Sequence, residues 1–304
     1  MANIIFGPIP SRRFGMSLGI DLSPNSKQCN FDCLYCELDY AKTMPKQIEV
    51  IDVQDIVTAV KNALQNHKNI DVITFTANGE PSLYPHLSEL IDEIDKIKGD
   101  SKTLILSNGA NIYDPDIQQT LCKIDIVKLS LDCVSQKCFK KLDRVDDSVD
   151  CSKIVSGMVN FRDMHKKQLI LETLFVKTLN DNDDEIEKLK SAYYEIKPNR
   201  IDIGTIDRPP AYAVKPVTHD TLLNIANRLE NLPVTIAHKN KVLNKQKFEL
   251  NEIITLLSRR PLTFDDVENT FDDLSLKYLE NLVKDNKINI LNNNGVNFYT
   301  IPKI

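Results

Sequence analysis

The densest chemistry in the 304-residue sequence lies in one stretch, Cys29-Asn30-Phe31-Asp32-Cys33-Leu34-Tyr35-Cys36. Three thiols spaced C-x3-C-x2-C suit three corners of a [4Fe–4S] cube, because thiolate is a soft ligand that favours iron–sulfur clusters. A closed electron-transfer cluster takes four cysteines, so this set leaves one iron open to another ligand. Structural zinc needs a second Cys or His pair downstream, and none follows. A disulfide or plain buried cysteines would account for a lone thiol better than for three in eight residues.

Four further groups of residues could do chemistry. Asn78-Gly79-Glu80-Pro81 joins a glycine that lets backbone approach a ligand to an acid that suits an ammonium group. Asn78 tolerates left-handed geometry if the turn demands it. Ser107-Asn108-Gly109 and Ser130-Leu131-Asp132 close two strand-like runs. Ser130 and Asp132 alternate onto one face, where they can take ribose hydroxyls or serve as helix caps. Arg12 and Arg13 precede the thiols, and Arg208 opens Arg-Pro-Pro further on. The arginines read either as solvated charge or as contacts to an anionic group of substrate or cofactor. No residue stands out as a general base or radical quencher. Cys122, Cys133, Cys138 and Cys151 read as inert core thiols, with an auxiliary ligand set at Cys133 and Cys138 as the alternative.

The elements that must position these residues follow from periodicity. The stretch 6–15 is punctuated by glycine and proline and reads as an irregular entry loop. Strands are expected at 17–22, 71–77, 103–107, 126–131, 169–176 and 200–206. Helices are expected at 51–67, 85–98, 115–123, 152–165, 183–196 and 219–229. Six βα repeats predict a parallel sheet with right-handed crossovers, whose ligands gather beyond the C-terminal strand ends. The chain then divides into a core (1–233), a lysine-bearing link (234–248) and a tail (249–304). The tail reads as three helices and a hairpin turned at Asn294-Gly295, with Thr263 and Asp266 as a cap pair.

Composition is that of an ordinary globular chain, 42% hydrophobic and 27% charged, with a net charge of −5. That charge gives no general attraction to nucleic acid or anionic membrane. The tail is itself acidic, nine Asp/Glu against six Lys/Arg, where a phosphate-binding module should be basic. Seven cysteines, no signal-peptide pattern and no apolar run near the ~18 residues of a membrane span predict a cytoplasmic location.

On the cysteine triad, Tyr35 before its last Cys, Asn78-Gly-Glu-Pro and Ser107-Asn-Gly, the sequence resembles the radical S-adenosylmethionine (radical SAM) superfamily over about residues 4–210. The resemblance implies a partial (β/α)6 TIM-like barrel, and the three helices and hairpin of the tail resemble a small C-terminal winged-helix-like domain. It also implies a [4Fe–4S] cluster on Cys29, Cys33 and Cys36, and S-adenosyl-L-methionine on the open iron. Tyr35, Asn78, Gly79, Glu80, Pro81, Ser107, Asn108, Ser130 and Asp132 would lie on the cofactor side, and Arg12, Arg13 and Arg208 on the substrate side. Reductive cleavage would give a 5′-deoxyadenosyl radical that takes hydrogen from a substrate, the electron coming from a donor such as flavodoxin or ferredoxin. Phe6-Gly-Pro-Ile-Pro-Ser-Arg-Arg and Arg208-Pro-Pro are similar to the wyosine synthase group, which implies a modified nucleoside in tRNA. No Cys precedes Cys29, so the second cluster of that group is not expected. A peptide or small metabolite as substrate, or a non-catalytic cluster-binding scaffold, are the alternatives.

Overall fold

The computed structural model describes residues 4–11, 13–236, 245–293 and 295–302. Its main sheet has eight strands in chain order. They are β1 (Ile5–Ser11), β2 (Gly15–Asp21), β3 (Val72–Thr76), β4 (Lys102–Ser107), β5 (Ile126–Ser130), β6 (Gln168–Phe175), β7 (Arg200–Thr205) and β8 (Val234–Ile236). β1 runs antiparallel to β2, and every later pair is parallel. The crossovers carry α1 (Val53–Asn66), α2 (Leu87–Asp95), α3 (Pro115–Cys122), the single turn α4 (Gln136–Cys138), α5 (Ile154–Met164), α6 (Asp183–Ile196) and α7 (His219–Arg228). Asp52 caps α1 by accepting from the Gln54 N–H, as an Asx cap should.

Strand alternation sends one set of side chains to the helices and the other to the inside. Ile20, Ile73, Phe75, Val127, Leu129, Leu169 and Leu171 join the helices in the main core. The opposite face closes on itself. Phe14, from the β1–β2 connection, packs on Val72, Leu104, Ile126 and Ile170 of β3 to β6. Arg13 reaches Glu172 on β6 and Asp202 on β7. A residue beside β2 meets β6 and β7 only if the sheet is curled, so this is the partial barrel expected for the chain.

Two expectations change. Residues 6–15 are not an irregular loop, since 6–11 belong to β1 and Gly15 opens β2. Pro8 and Pro10 are tolerated because β1 is an edge strand with a register shift between Phe6 and Ile9. β8 lies inside the stretch read as link, so the parallel strands number seven, one beyond the six counted from sequence. A three-residue strand with half-buried side chains carries little periodicity to detect.

The C-terminal elements are α8 (Leu250–Arg259), β9 (Leu262–Thr263), α9 (Phe264–Thr270), α10 (Asp273–Lys284), β10 (Asn289–Asn293) and β11 (Val296–Thr300), the strands forming an antiparallel sheet ordered β10-β11-β9. Thr263 and Asp266 make the expected capping box. Gly295 has φ +83°, as a tight hairpin needs, while Asn294 lies outside the described residues. The core of this unit includes Phe248, Ile253, Leu256, Phe271 and Leu279, and it takes in Ile9 of β1. Among the described residues no helix is long and apolar enough to cross a membrane.

Asp125 clamps the base of three successive βα units. Its Oδ2 accepts from the Thr103 N–H at 3.0 Å and from Lys98 at 2.9 Å, and its Oδ1 accepts from Lys167 at 2.9 Å. Burial alone would raise its pKa, but these donors outweigh it and hold the carboxyl well below the usual range. A depressed folded pKa contributes stability that is present above the unfolded value and lost as pH falls through the folded one. Asp125→Asn should therefore lower unfolding free energy at pH 7 by about 1–3 kcal/mol. In urea titrations the gap to wild type should shrink steadily as the pH is taken below about 4.

Candidate functional site

The thiol loop follows β2 and lies at the C-terminal ends of the parallel strands. It has no ladder of its own, so neighbouring segments satisfy its backbone. The Asp32 and Leu34 N–H groups donate to the Asp143 and Leu142 carbonyls, and the Met44 N–H donates to the Cys29 carbonyl. The Ala211 N–H donates to the Cys36 carbonyl at 2.8 Å. The main anchor is Gln28, which pairs with Gly79 as a parallel bridge. Gln28 N–H donates to the Asn78 carbonyl, and Glu80 N–H donates to the Gln28 carbonyl, each at 2.9 Å. Gly79 is required here, because it has φ +136° and a Cβ would fall 2.0 Å from the Gln28 carbonyl oxygen. The left-handed requirement falls on Gly79, and Asn78 has no positive φ.

The three thiols of the loop are free and partly exposed, and each has its pKa raised. Burial is the largest cause throughout, with Cys29 pushed up to about 12 by burial and then by Glu80. Mutual repulsion adds to the shift at Cys29 and Cys33, as expected where thiols converge without a cation. Lys27 Nζ lies 3.6 Å from Cys36 Sγ, the Phe31 N–H 3.4 Å from Cys29 Sγ and Asn108 Nδ2 3.8 Å from the same sulfur. Three sulfurs close enough to perturb one another, two of them met by N–H donors, fit an iron–sulfur cluster, whose iron would draw the thiols into the thiolate form.

The remaining predicted residues divide by position. Glu80 is buried and spends its carboxylate on the neighbouring strand end, accepting from Ser82 N–H, Ser107 Oγ and Asn108 N–H at 2.7–2.9 Å. It therefore braces β3 against β4, and Ser107 is occupied in that brace. Pro81 starts the helical turn Pro81–Leu83 that Glu80 caps. Asn108 bonds Asn30 at 2.7 Å as well as approaching Cys29. Tyr35 donates to Asp132, whose other oxygen accepts from the Leu174 N–H at 2.6 Å. Burial pushes Asp132 up to about 7 despite those bonds. Ser130 is the direct register partner of Glu172 across β5 and β6.

Arg208 lies against the thiol loop, 2.9 Å from Glu37, and is largely buried. Burial opposes its charge, but Glu37 and Asp207 hold its pKa above the ordinary value. Arg13 is elsewhere. Its nearness to the thiols in sequence suggests a place beside them, yet it stands at the N-terminal end of β2 and reaches Glu172 and Asp202 in the barrel interior. A strand separates the two regions, so short sequence distance became the full depth of the barrel. Arg12 lies outside the described residues.

Sequence reasoning missed the charged interior. Lys128 on β5 lies 2.5 Å from Glu172 and 3.7 Å from Asp202, which Arg13 and Arg200 also engage. Glu172 is 39% exposed although it is on the inner face, so the interior is open to solvent there. A single polar residue at alternate positions of an apolar strand is the only trace this left in sequence. Cys133 and Cys138 are neither free core thiols nor auxiliary ligands, since they form a disulfide. The nearby Glu185 carboxylate is taken up by the Val134 and Ser135 N–H groups and the Ser135 hydroxyl.

Comparison with known proteins agrees with this geometry. The profile described as the Radical SAM superfamily matches residues 26–191, more than half of the chain. A UPF0026 protein of Helicobacter pylori is 41% identical over 299 residues, covering 97% of each chain. Among solved structures, a radical SAM methyltransferase from Sphaerobacter thermophilus aligns with a TM-score of 0.56 at 13% identity, over 72% of this chain and 65% of that one. That likeness concerns the fold alone. An archaeal TYW1 aligns over 98% of this chain and 83% of its own, but with a TM-score of 0.45 at 15% identity, and it carries no argument about substrate.

Gly79→Ala tests the anchor. The added methyl must push Gln28 away in a backbone conformation alanine avoids, at a cost of about 1–3 kcal/mol from overpacking, with the backbone strain in addition. After anaerobic reconstitution, bound iron per chain should fall together with the thermal midpoint. Gly204→Ala, whose Cβ meets nothing within 4 Å, should leave both unchanged.

Proposed function

This chain belongs to the radical SAM superfamily, and from that premise we propose that Cys29, Cys33 and Cys36 hold the [4Fe–4S] cluster of a hydrogen-abstracting enzyme. Enzymes of the superfamily use that cluster with S-adenosylmethionine and need a reductant. When bound, the pair supplies an electron and a 5′-deoxyadenosyl radical that takes a hydrogen atom from substrate. The observation that carries the assignment is the Gln28–Gly79 bridge, which brings the thiol loop and the Asn78-Gly79-Glu80-Pro81 turn to one point.

In this reading the chain's own residues bind, orient and tune. The Phe31 N–H, Asn108 Nδ2 and Lys27 Nζ donate toward sulfur, which raises the potential of a cluster held there. The backbone of residues 78–80 would hold the amino group of the methionine moiety, and Glu80 fixes that turn through Ser82, Ser107 and Asn108. Tyr35, Asp132 and Ser130 lie on the ribose side. Substrate occupies the interior above Lys128 and Glu172, with Arg208 at the rim. A flavodoxin or ferredoxin is the proposed electron donor.

We read residues 249–304 as a winged-helix-like unit packed on the core 1–233, on the order helix-strand-helix-helix-strand-strand. The described lysines of the link already face acids, Lys247 with Glu249 at 2.6 Å and Lys245 with Asp273 at 4.0 Å. A paired lysine releases little counterion on meeting phosphate, so a small polar substrate is favoured over RNA. The tRNA nucleoside reading rests on the Phe6-Gly-Pro-Ile-Pro-Ser-Arg-Arg and Arg208-Pro-Pro stretches and is the second possibility.

Two measurements test this. Reduced, reconstituted protein should release 5′-deoxyadenosine from S-adenosylmethionine, and the Cys29/Cys33/Cys36→Ala triple variant should release none. A product level equal in both would refute the enzyme assignment. Mass spectrometry of a deletion strain should show an accumulated small metabolite with RNA nucleosides unchanged. Loss of a modified nucleoside would instead favour RNA.

A further inference from the structure

The C-terminal unit sends one charged side chain into the cofactor end of the barrel. Arg259, the last residue of α8, places Nε 2.7 Å from Asp21 Oδ2 and donates from Nη2 to the Pro24 carbonyl at 2.8 Å. Asp21 ends β2 and is 1% exposed. Its other oxygen accepts from the Asn78 N–H at 2.8 Å and from the Ser23 N–H at 2.9 Å. The Ser23 hydroxyl donates to the Asn78 carbonyl at 2.9 Å, the same carbonyl that takes the Gln28 N–H. Arg259 is thus two contacts from the turn that Gln28 and Gly79 build.

A carboxylate this deep keeps its charge only if it is paired and hydrogen-bonded. Burial raises the Asp21 pKa and Arg259 opposes that rise. Without the guanidinium, Asp21 must take a proton or shift toward water, and in either case the acceptor for Asn78 N–H weakens. The unit is seated firmly enough to hold Arg259 there, since Ile9 of β1 lies in its core and Phe6 packs on it.

We propose that Arg259 is a positioning residue for the cofactor-binding turn, so that the C-terminal unit completes the S-adenosylmethionine site through Asp21. The inference rests on the reading of residues 78–80 as part of that site. It gives the C-terminal unit a role in cofactor binding that does not depend on what the unit itself contacts.

The test is equilibrium binding of S-adenosylmethionine to full-length, anaerobically reconstituted protein, with iron content and thermal midpoint measured alongside. Arg259→Met should weaken binding about tenfold at unchanged iron content, with Arg259→Lys in between. Arg259→Met/Asp21→Asn, which removes the orphaned charge, should bind more tightly than Arg259→Met alone. A purely structural role would lower the thermal midpoint and leave the affinity of the folded enzyme where it was. Wild type that binds while Arg259→Met binds equally well overturns the inference alone. Wild type that fails to bind overturns the reading of the turn, and this inference with it. Should Arg259→Met not fold, Arg259→Lys decides: weaker binding than wild type at unchanged iron content supports the inference, and equal binding overturns it.

Discussion

A parallel pairing one residue long, Gln28 against Gly79, is what the rest of the site depends on. The thiol loop is irregular, so its own sequence cannot fix where three sulfurs point. The bridge makes the residue before Cys29 an extra rung of the β2–β3 ladder. The loop thereby inherits the rigidity of a sheet whose strands are buried on their helix-facing side. Beyond the rung, the loop is held by backbone bonds to the segments around 142–146 and 211. Each tie comes from a different crossover, so the site is precise only when the whole barrel is assembled.

The interior follows a different logic. Lys128, Glu172, Asp202, Arg13 and Arg200 form a charged layer on the inside of β5 to β7, above an apolar floor built on Phe14. Such groups are costly to bury and a hydrophobic set of equal volume would serve stability as well or better. Their retention makes sense where the space must stay open and wetted. Asp202 is fully buried and answered by cations from three directions, while Glu172 keeps one side free toward solvent. The same layer acts on Asp132 at the rim, where Glu172 raises its pKa and Lys128 lowers it. Floor, charged layer and strand ends therefore form one electrostatic unit.

The C-terminal unit belongs to that construction rather than hanging from it. Its core includes a residue of β1, and Gln246 reaches the Met16 sulfur at 3.8 Å. An edge strand with two prolines is a weak end for a sheet, and covering it removes an unpaired edge from solvent. The stretch 6–15 thus becomes ordered strand because something packs on it.

Local chemistry and periodicity determined much of this protein. The Thr263–Asp266 cap and the α/β alternation each depend on near neighbours, and each is where the sequence indicated. Interactions between residues far apart in sequence were decided only by the tertiary structure. The reach of Arg13 to Glu172 and Asp202, the disulfide between Cys133 and Cys138, the brace from Glu80 to Asn108 and the pairing of Arg259 with Asp21 all require knowing how the sheet curls. An arginine in a sequence shows its charge but not its partner. Burial chooses the partner, because a charge removed from water must find an opposite one, and only the folded chain says which is within reach.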